Sequence, residues 1–211
     1  MEIKVYNING SETGRTINLE DSIFAMEQPN DHAIYLDVKQ YLADQRQGTS
    51  KAKERSENAH STRKLKRQKG TGGARSGDLK SPVFVGGGTI FGPKPRDYRF
   101  KLNIKVKRLA RRSALSQKVA DSALKVVENF SFDAPKTKTM VDVLKKLDVN
   151  DKKSLFVIEN QNNFVSLSAR NLKNVKVVSV FQLNTYDIVN ASNVILSEGS
   201  IPEITRVLAT K

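Results

Sequence analysis

Between residues 46 and 82 the chain has almost nothing from which to build a core: in 37 positions the large aliphatic side chains are Leu65 and Leu79 alone. A stretch of that kind must be disordered or held by a partner. The return from it is rich in backbone and poor in side chains, since eight of the twelve glycines lie between Gly70 and Gly92, with Gly86-Gly87-Gly88 among them. Charge is concentrated in the same place. Residues 46–112 carry 20 Lys and Arg against 4 acidic side chains, while the whole chain has 36 against 22, so the excess of +14 sits in one internal segment and the remainder is close to neutral. A polyanionic partner is expected for it.

What the chain lacks narrows its chemistry. With no cysteine, disulfides, zinc ribbons, iron–sulfur sites and thiol nucleophiles are excluded, and a reducing cytosol is the expected setting. His32 and His60 are the only imidazoles, a poor start for a catalytic triad or a metal site, and neither a metal nor a cofactor is expected. Met1-Glu2-Ile3-Lys4-Val5-Tyr6 alternates like a strand and lacks the layout of a signal peptide. No apolar run approaches the roughly 18–20 residues of a membrane span. A cytoplasmic protein without a membrane partner is expected.

Hydrophobic periodicity outside the central segment describes an α/β fold. Ile3 and Val5, then Ile17 and Leu19, flank a turn region holding Asn9-Gly10 and Thr13-Gly14, which predicts an N-terminal β-hairpin. Ile34, Val38, Tyr41 and Leu42 mark one face of a helix over 31–45. After Asn103 a second helix sets Val106, Leu109, Ala110 and Ala114 against Lys105, Arg108, Arg111 and Arg112, with Leu115 falling on the basic side. Apolar strands follow at 124–127, 155–158, 175–180 and 194–196, interleaved with helices through Met140–Leu147, around Ser168–Leu172 and near Pro202–Leu208. Apolar runs separated by helices predict a small parallel sheet in a three-layer α/β/α body. Residues 1–45 and 94–211 are expected to form that domain, and 46–93 an extended loop inserted in it. Each arm of such a loop has about 24 residues and reaches roughly 80 Å when extended, against a radius of gyration of about 15 Å for the body.

The residue types of the segment suit RNA. Lysine and arginine neutralise phosphates and release counterions, while glycine lets backbone N–H groups approach phosphate oxygens. In Arg67-Gln68-Lys69-Gly70-Thr71-Gly72-Gly73-Ala74-Arg75 the two are interleaved. Phe84, Phe91, Tyr98 and Phe100 on the return arm either contact bases or pack on the body. Nucleotide-binding motifs fail: Gly87-Gly88-Thr89-Ile90-Phe91-Gly92-Pro93-Lys94 has Pro93 where a Walker loop needs lysine, and Gly70-Thr71-Gly72-Gly73-Ala74-Arg75 has Arg75 at the third glycine of a dinucleotide fingerprint. His60 has only Glu57 near it as a carboxylate, which makes it a poor catalytic base, and His32 opens a helix at the surface.

Several short motifs, in order, carry a family resemblance: Arg46-Gln47-Gly48-Thr49, Gln68-Lys69-Gly70-Thr71-Gly72, Ala74-Arg75, Ser81-Pro82, Gly86-Gly87-Gly88, Phe91-Gly92-Pro93 and, later, Ser168-Ala169-Arg170-Asn171-Leu172. Together the chain resembles the L4 family of large-subunit ribosomal proteins, in its bacterial form. The resemblance implies a non-enzymatic structural constituent of the ribosome. It implies an α/β body on the outside of the large subunit and a loop inserted into the large-subunit ribosomal RNA. An early role in assembly follows from it too, as does a loop tip lining the polypeptide exit tunnel, with neighbouring ribosomal proteins and the nascent polypeptide as further partners. Some members also repress their own operon. The chain departs from the family at the tip, where His60-Ser61-Thr62-Arg63 and Lys64-Leu65-Lys66 replace a glycine-rich run followed by Lys-Pro-Trp, and Gly73 replaces a frequent arginine.

The expected RNA-binding residues are Arg46, Gln47, Gly48, Thr49, Lys51, Lys53, Arg55, Lys64, Lys66, Arg67, Gln68, Lys69, Gly70, Thr71, Gly72, Arg75, Lys80, Gly86, Gly87, Gly88, Lys94, Arg96 and Arg99, continued on the following helix by Lys105, Arg108, Arg111 and Arg112. The expected tunnel-lining tip is His60, Ser61, Thr62, Arg63, Lys64, Leu65, Lys66 and Arg67. Two other classes compete: a non-specific nucleic-acid binder or RNA chaperone, and an RNA-processing enzyme. The enzyme would need a polar constellation at the strand ends, where the candidates are the scattered Asp133, Glu159 and Asp187.

Overall fold

The computed structural model describes residues 1–159 and 163–209. They form two compact units, a body of Met1–Leu42 with Lys101–Lys211 and a central unit of Ala43–Phe100.

The body is built on a six-stranded sheet. Strands β1 (Glu2–Tyr6) and β2 (Glu12–Asn18) make the hairpin, and β3 (Leu124–Val127), β4 (Ser154–Ile158), β5 (Val175–Ser179) and β6 (Asn193–Ser197) complete the order β2-β1-β3-β6-β4-β5. Every pairing is parallel except β1 with β2. The hairpin reverses at residues 7–11, where Asn7 N–H donates to Ser11 O at 2.8 Å and Gly10 N–H to Asn7 O at 2.8 Å. Gly10 is required there, with φ +79° and a would-be Cβ 2.0 Å from Lys146 O. Thr13 and Gly14, expected in the turn, lie inside β2, which a register shift between Lys4 and Tyr6 accommodates.

Side-chain alternation divides the core between the two faces of the sheet. Val126, Leu155, Val157, Val194 and Leu196 face one layer; Val127, Phe156 and Ile195 face the other. The first layer takes Ile23 and Phe24 from α1 (Asp21–Phe24), Ala114, Leu115 and Val119 from α3 (Ile104–Ala120), Ile188 from α6 (Thr185–Asn190), and Ile201, Ile204 and Leu208 from α7 (Ser200–Leu208). The second takes Met140, Val143 and Leu144 from α4 (Thr137–Lys146) and Val165 and Ala169 from α5 (Asn163–Arg170). Each large side chain so buried contributes about 1.5–3 kcal/mol relative to exposure.

Two helices depart from their apolar periodicity. Helix α3 packs against α1, α6 and α7, so more than one stripe is enclosed: Ser113, Ala114, Leu115 and Ser116 are all buried. Leu115, expected on the basic side, is in the core. The serines are satisfied, since Ser113 Oγ accepts from Asn30 N–H at 3.0 Å, and Ser116 Oγ accepts from Met26 N–H at 3.2 Å and donates to Ile23 O at 3.1 Å. In α2 (Asp31–Asp44) the buried residues are Ala33, Asp37 and Gln40, while Leu42 is exposed. The reason is polar: Thr185 Oγ1 donates to Asp37 Oδ2, and Tyr41 stacks on Tyr186 with ring centroids 4.9 Å apart. Helix α5, at Asn163–Arg170, also lies earlier than the expected helical piece around Ser168–Leu172.

Candidate nucleic-acid interface

Among the described residues the central unit has no strand, and past the end of α2 at Asp44 its regular structure is a 3-10 turn at Arg55–Glu57. Its two arms are nevertheless joined by a series of backbone hydrogen bonds. Arg96 N–H donates to Gly48 O at 3.1 Å, Ala52 N–H to Pro93 O at 3.1 Å, Thr89 N–H to Lys53 O at 2.9 Å, and Leu65 N–H to Gly77 O at 2.9 Å. Arm thus meets arm along much of the length. Every residue from Ser61 to Arg75, Leu65 included, is nevertheless exposed.

The glycines divide into two kinds. At Gly48 (φ +65°) a Cβ would stand 2.0 Å from Arg96 O, at Gly87 1.9 Å from Ser81 O, and at Gly88 2.5 Å from Arg55 N. These positions are consumed by close approach within the unit. Gly70, Gly72 and Gly77 have nothing within 4 Å, so their backbone is open to an incoming group.

The cations divide likewise. Three are tied to carboxylates: Lys51 to Glu57, Lys94 to Glu54 at 2.5 Å, and Arg55 to Asp78 at 3.0 Å. The hydrogen bond from Lys51, helped by Glu54 N–H, holds the Glu57 carboxyl below its usual range, and the bond to Glu54 pushes the Lys94 ammonium up. Arg46 and Arg96 instead lie on Tyr98, 3.6 and 4.6 Å from its ring centroid, and the hydrogen bond with Arg96 lowers the Tyr98 hydroxyl pKa. Among the described residues no carboxylate is within ion-pair distance of Lys53, Arg63, Lys64, Lys66, Arg67, Lys69, Arg75, Lys80 or Arg99. A cavity of about 420 Å³ is lined by Arg55, Thr62, Lys64, Gln68, Arg75, Ser76, Gly77 and Asp78. Three cations there face one carboxylate that is already engaged, an arrangement that favours an anion such as a phosphate.

A cationic unit of this length and a two-faced α/β body are matched together by one family model, that of the ribosomal protein L4/L1 family, over residues 17–207. The chain belongs to the ribosomal protein L4/L1 family. It is a family of structural, non-enzymatic ribosomal proteins. The relatives are similar almost end to end. A protein of Cytophaga hutchinsonii named large ribosomal subunit protein uL4 is 61% identical over 208 residues, covering 99% of this chain and 100% of its own. Proteins of the same name from Parabacteroides distasonis and Flavobacterium psychrophilum are 61% identical over 201 residues (95% of this chain, 96% of theirs) and 60% identical over 209 (99% and 100%).

In this L4/L1-family body the cations of α3 are not equivalent. Lys105 is exposed, whereas Arg108, Arg111 and Arg112 are partly covered. Burial lowers the Arg111 pKa, opposed by the nearby charge of Asp37. Asp37 had no sequence signal as a buried group beyond its spacing, four residues from Ala33 and from Tyr41. The carboxylates that an enzyme would need do not converge. Asp187 is buried and bound through both oxygens to Lys176 Nζ at 2.7 Å, where β5 begins, while Glu159 follows the opposite end of β4. His60 is exposed, and so is His32, whose ring stacks on Tyr35 at 6.2 Å.

Of the four aromatics on the return arm, Phe84 and Phe100 are half-buried, Tyr98 is covered by two guanidinium groups, and Phe91 is fully exposed.

Proposed function

We propose that this chain is a structural constituent of the large ribosomal subunit that binds the large-subunit ribosomal RNA through residues 46–93, in the cytoplasm and early in assembly. The observation that carries the reading is the run Ser61–Arg75, exposed at every position and bearing Arg63, Lys64, Lys66, Arg67, Lys69 and Arg75 without a carboxylate partner among the described residues. Such cations exchange condensed counterions for phosphate contacts, and the entropy of counterion release drives binding. The hydrogen bonds between the arms reduce the ordering cost on association. Open backbone at Gly70, Gly72 and Gly77 admits phosphate oxygens to the amides. Residues His60–Arg67 form the tip, which lines the exit tunnel and meets the nascent polypeptide, and neighbouring large-subunit proteins abut the body.

The names of the relatives support the ribosomal part of this reading. Sedimentation of the native protein tests it: the protein is expected in large-subunit particles and their precursors. Recovery solely from the free soluble pool would overturn the reading, and equal affinity for duplex DNA and folded ribosomal RNA at moderate salt would replace it with a non-specific binder.

A further inference from the structure

We propose that Phe91 is a base-stacking wedge, whose ring packs against an unpaired base of the RNA held by the central unit; the proposal rests on the RNA-binding reading above. Phe91 is fully exposed, and its backbone is left-handed, with φ +54°. That region is rare for a bulky side chain and persists where surrounding structure over-determines it.

Here the surrounding structure does so. On one side Thr89 N–H donates to Lys53 O at 2.9 Å, and on the other Ala52 N–H donates to Pro93 O at 3.1 Å, so both ends of the short Thr89–Pro93 turn are fastened to consecutive residues of the outgoing arm. Gly92 closes the contact, since a Cβ there would be 2.6 Å from the Ala52 side chain and 3.0 Å from that of Thr89. The turn cannot relax inward, and Phe91 points away from its own unit.

A fully exposed phenylalanine loses apolar contact in water and gains it only from an occupant. The charge around it indicates which kind. Lys53, whose carbonyl accepts one of the two fastening bonds, and Lys80, whose carbonyl accepts from Gly88 N–H just before the turn, have no carboxylate partner among the described residues. An apolar protein surface would cover the ring and leave those cations desolvated without partners, whereas a nucleic acid offers a flat π-face beside phosphates. Stacking needs no particular base, so the contact adds affinity without specifying sequence. The base must be unpaired, because a duplex keeps its faces stacked on one another.

The chain contains no tryptophan, so Phe91→Trp introduces a single fluorophore at the proposed contact. With in vitro transcribed large-subunit ribosomal RNA as the probe, its emission is expected to be strongly quenched at saturation and protected from acrylamide. Phe91→Ala is expected to weaken binding by about 5- to 150-fold, the usual loss for one base–aromatic stack, with the logarithmic salt slope unchanged because no cation is removed. Phe91→Tyr should restore affinity, and Phe91→Leu, equally apolar without a π-face, should not. The proposal is overturned if the introduced indole keeps its free-protein emission while filter binding shows the RNA bound, if Phe91→Ala binds undiminished, or if Phe91→Leu binds like the unsubstituted protein. In those cases RNA binding itself still stands. Failure of the unsubstituted protein to bind the RNA would instead remove the underlying reading, and the wedge with it.

Discussion

Arg55 Nη2 donates to Asp78 Oδ1 at 3.0 Å, joining residues 23 apart in sequence within a unit that has almost no core. The Asp78 side chain is 8% exposed and that of Arg55 63%. An acidic residue inside so cationic a segment has a cost in charge complementarity toward RNA, and here it holds the arms together. Exposure of the arginine limits the pair to about 1 kcal/mol. Asp78→Ala is therefore expected to speed amide exchange at Leu65 and Gly88, whose N–H groups donate to Gly77 O and Lys80 O, by about fivefold. Body amides should not change, which hydrogen-exchange mass spectrometry with residue-level resolution can read.

The two kinds of glycine make opposite predictions. Gly88→Ala must displace the Arg55 backbone, and Gly48→Ala meets Arg96 O in a left-handed conformation as well. Both should open the arms and raise protease susceptibility across 46–96. Gly77→Ala meets nothing and has no positive φ, so its digestion pattern should match that of the unsubstituted protein.

Deleting Thr49–Ser81 and closing the gap with a short glycine linker should leave a folded body with much weaker RNA binding. Both core clusters are drawn wholly from outside the central unit, so thermal stability should shift by a loop-closure difference of about 1 kcal/mol. The deletion removes 10 Lys and Arg and 3 acidic residues. For the intact chain, about ten phosphate contacts correspond to a logarithmic salt slope of order −7 to −9; the shortened protein should show a clearly shallower one. A truncated protein that fails to melt cooperatively, or one that binds undiminished, would contradict the separability of the two functions.

Asp37→Ala should destabilise the body more than any surface substitution on α2. It leaves Thr185 without its acceptor and the partly buried Arg111 without its opposing charge. Removing one partner from such a site costs about 3 kcal/mol. Urea denaturation provides the measurement. Asp37→Ala combined with Arg111→Met should recover part of the loss, since the uncompensated charge is then gone.

The strands were the most legible part of the chain. The sheet interior is covered on both faces, so β4 and β6 appear as unbroken apolar runs at 155–158 and 194–196, and β3, interrupted by Lys125, coincides with the expected 124–127. The short helices were not legible: Asp21–Phe24 and Thr185–Asn190 each span less than two turns, too few for a 3.6-residue period to register. Seams that bury polar groups defeated the periodicity in a different way. Asp37, Ser113 and Ser116 are paid for by partners between 80 and 150 residues distant, and no local pattern announces them. In the candidate interface, charge and glycine content were visible directly, but which glycines are spent on arm-to-arm contact depends on pairings such as Gly48 with Arg96. Phe91 could not be told from Phe84 or Phe100 for the same reason.

The strand order has a consequence for how the molecule comes into being. β6 lies between β3 and β4 and pairs with both, although it is the last strand to be synthesised. Until Asn193–Ser197 is available, the hairpin and β3 form one fragment and β4 with β5 another, each with an unsatisfied edge. The cationic arms, made much earlier, leave the ribosome attached to an incomplete sheet. For the whole interval between emergence of residue 100 and that of residue 197, the chain presents its most cationic segment with its least finished scaffold, a window in which any polyanion met at random competes with the RNA proposed as its partner.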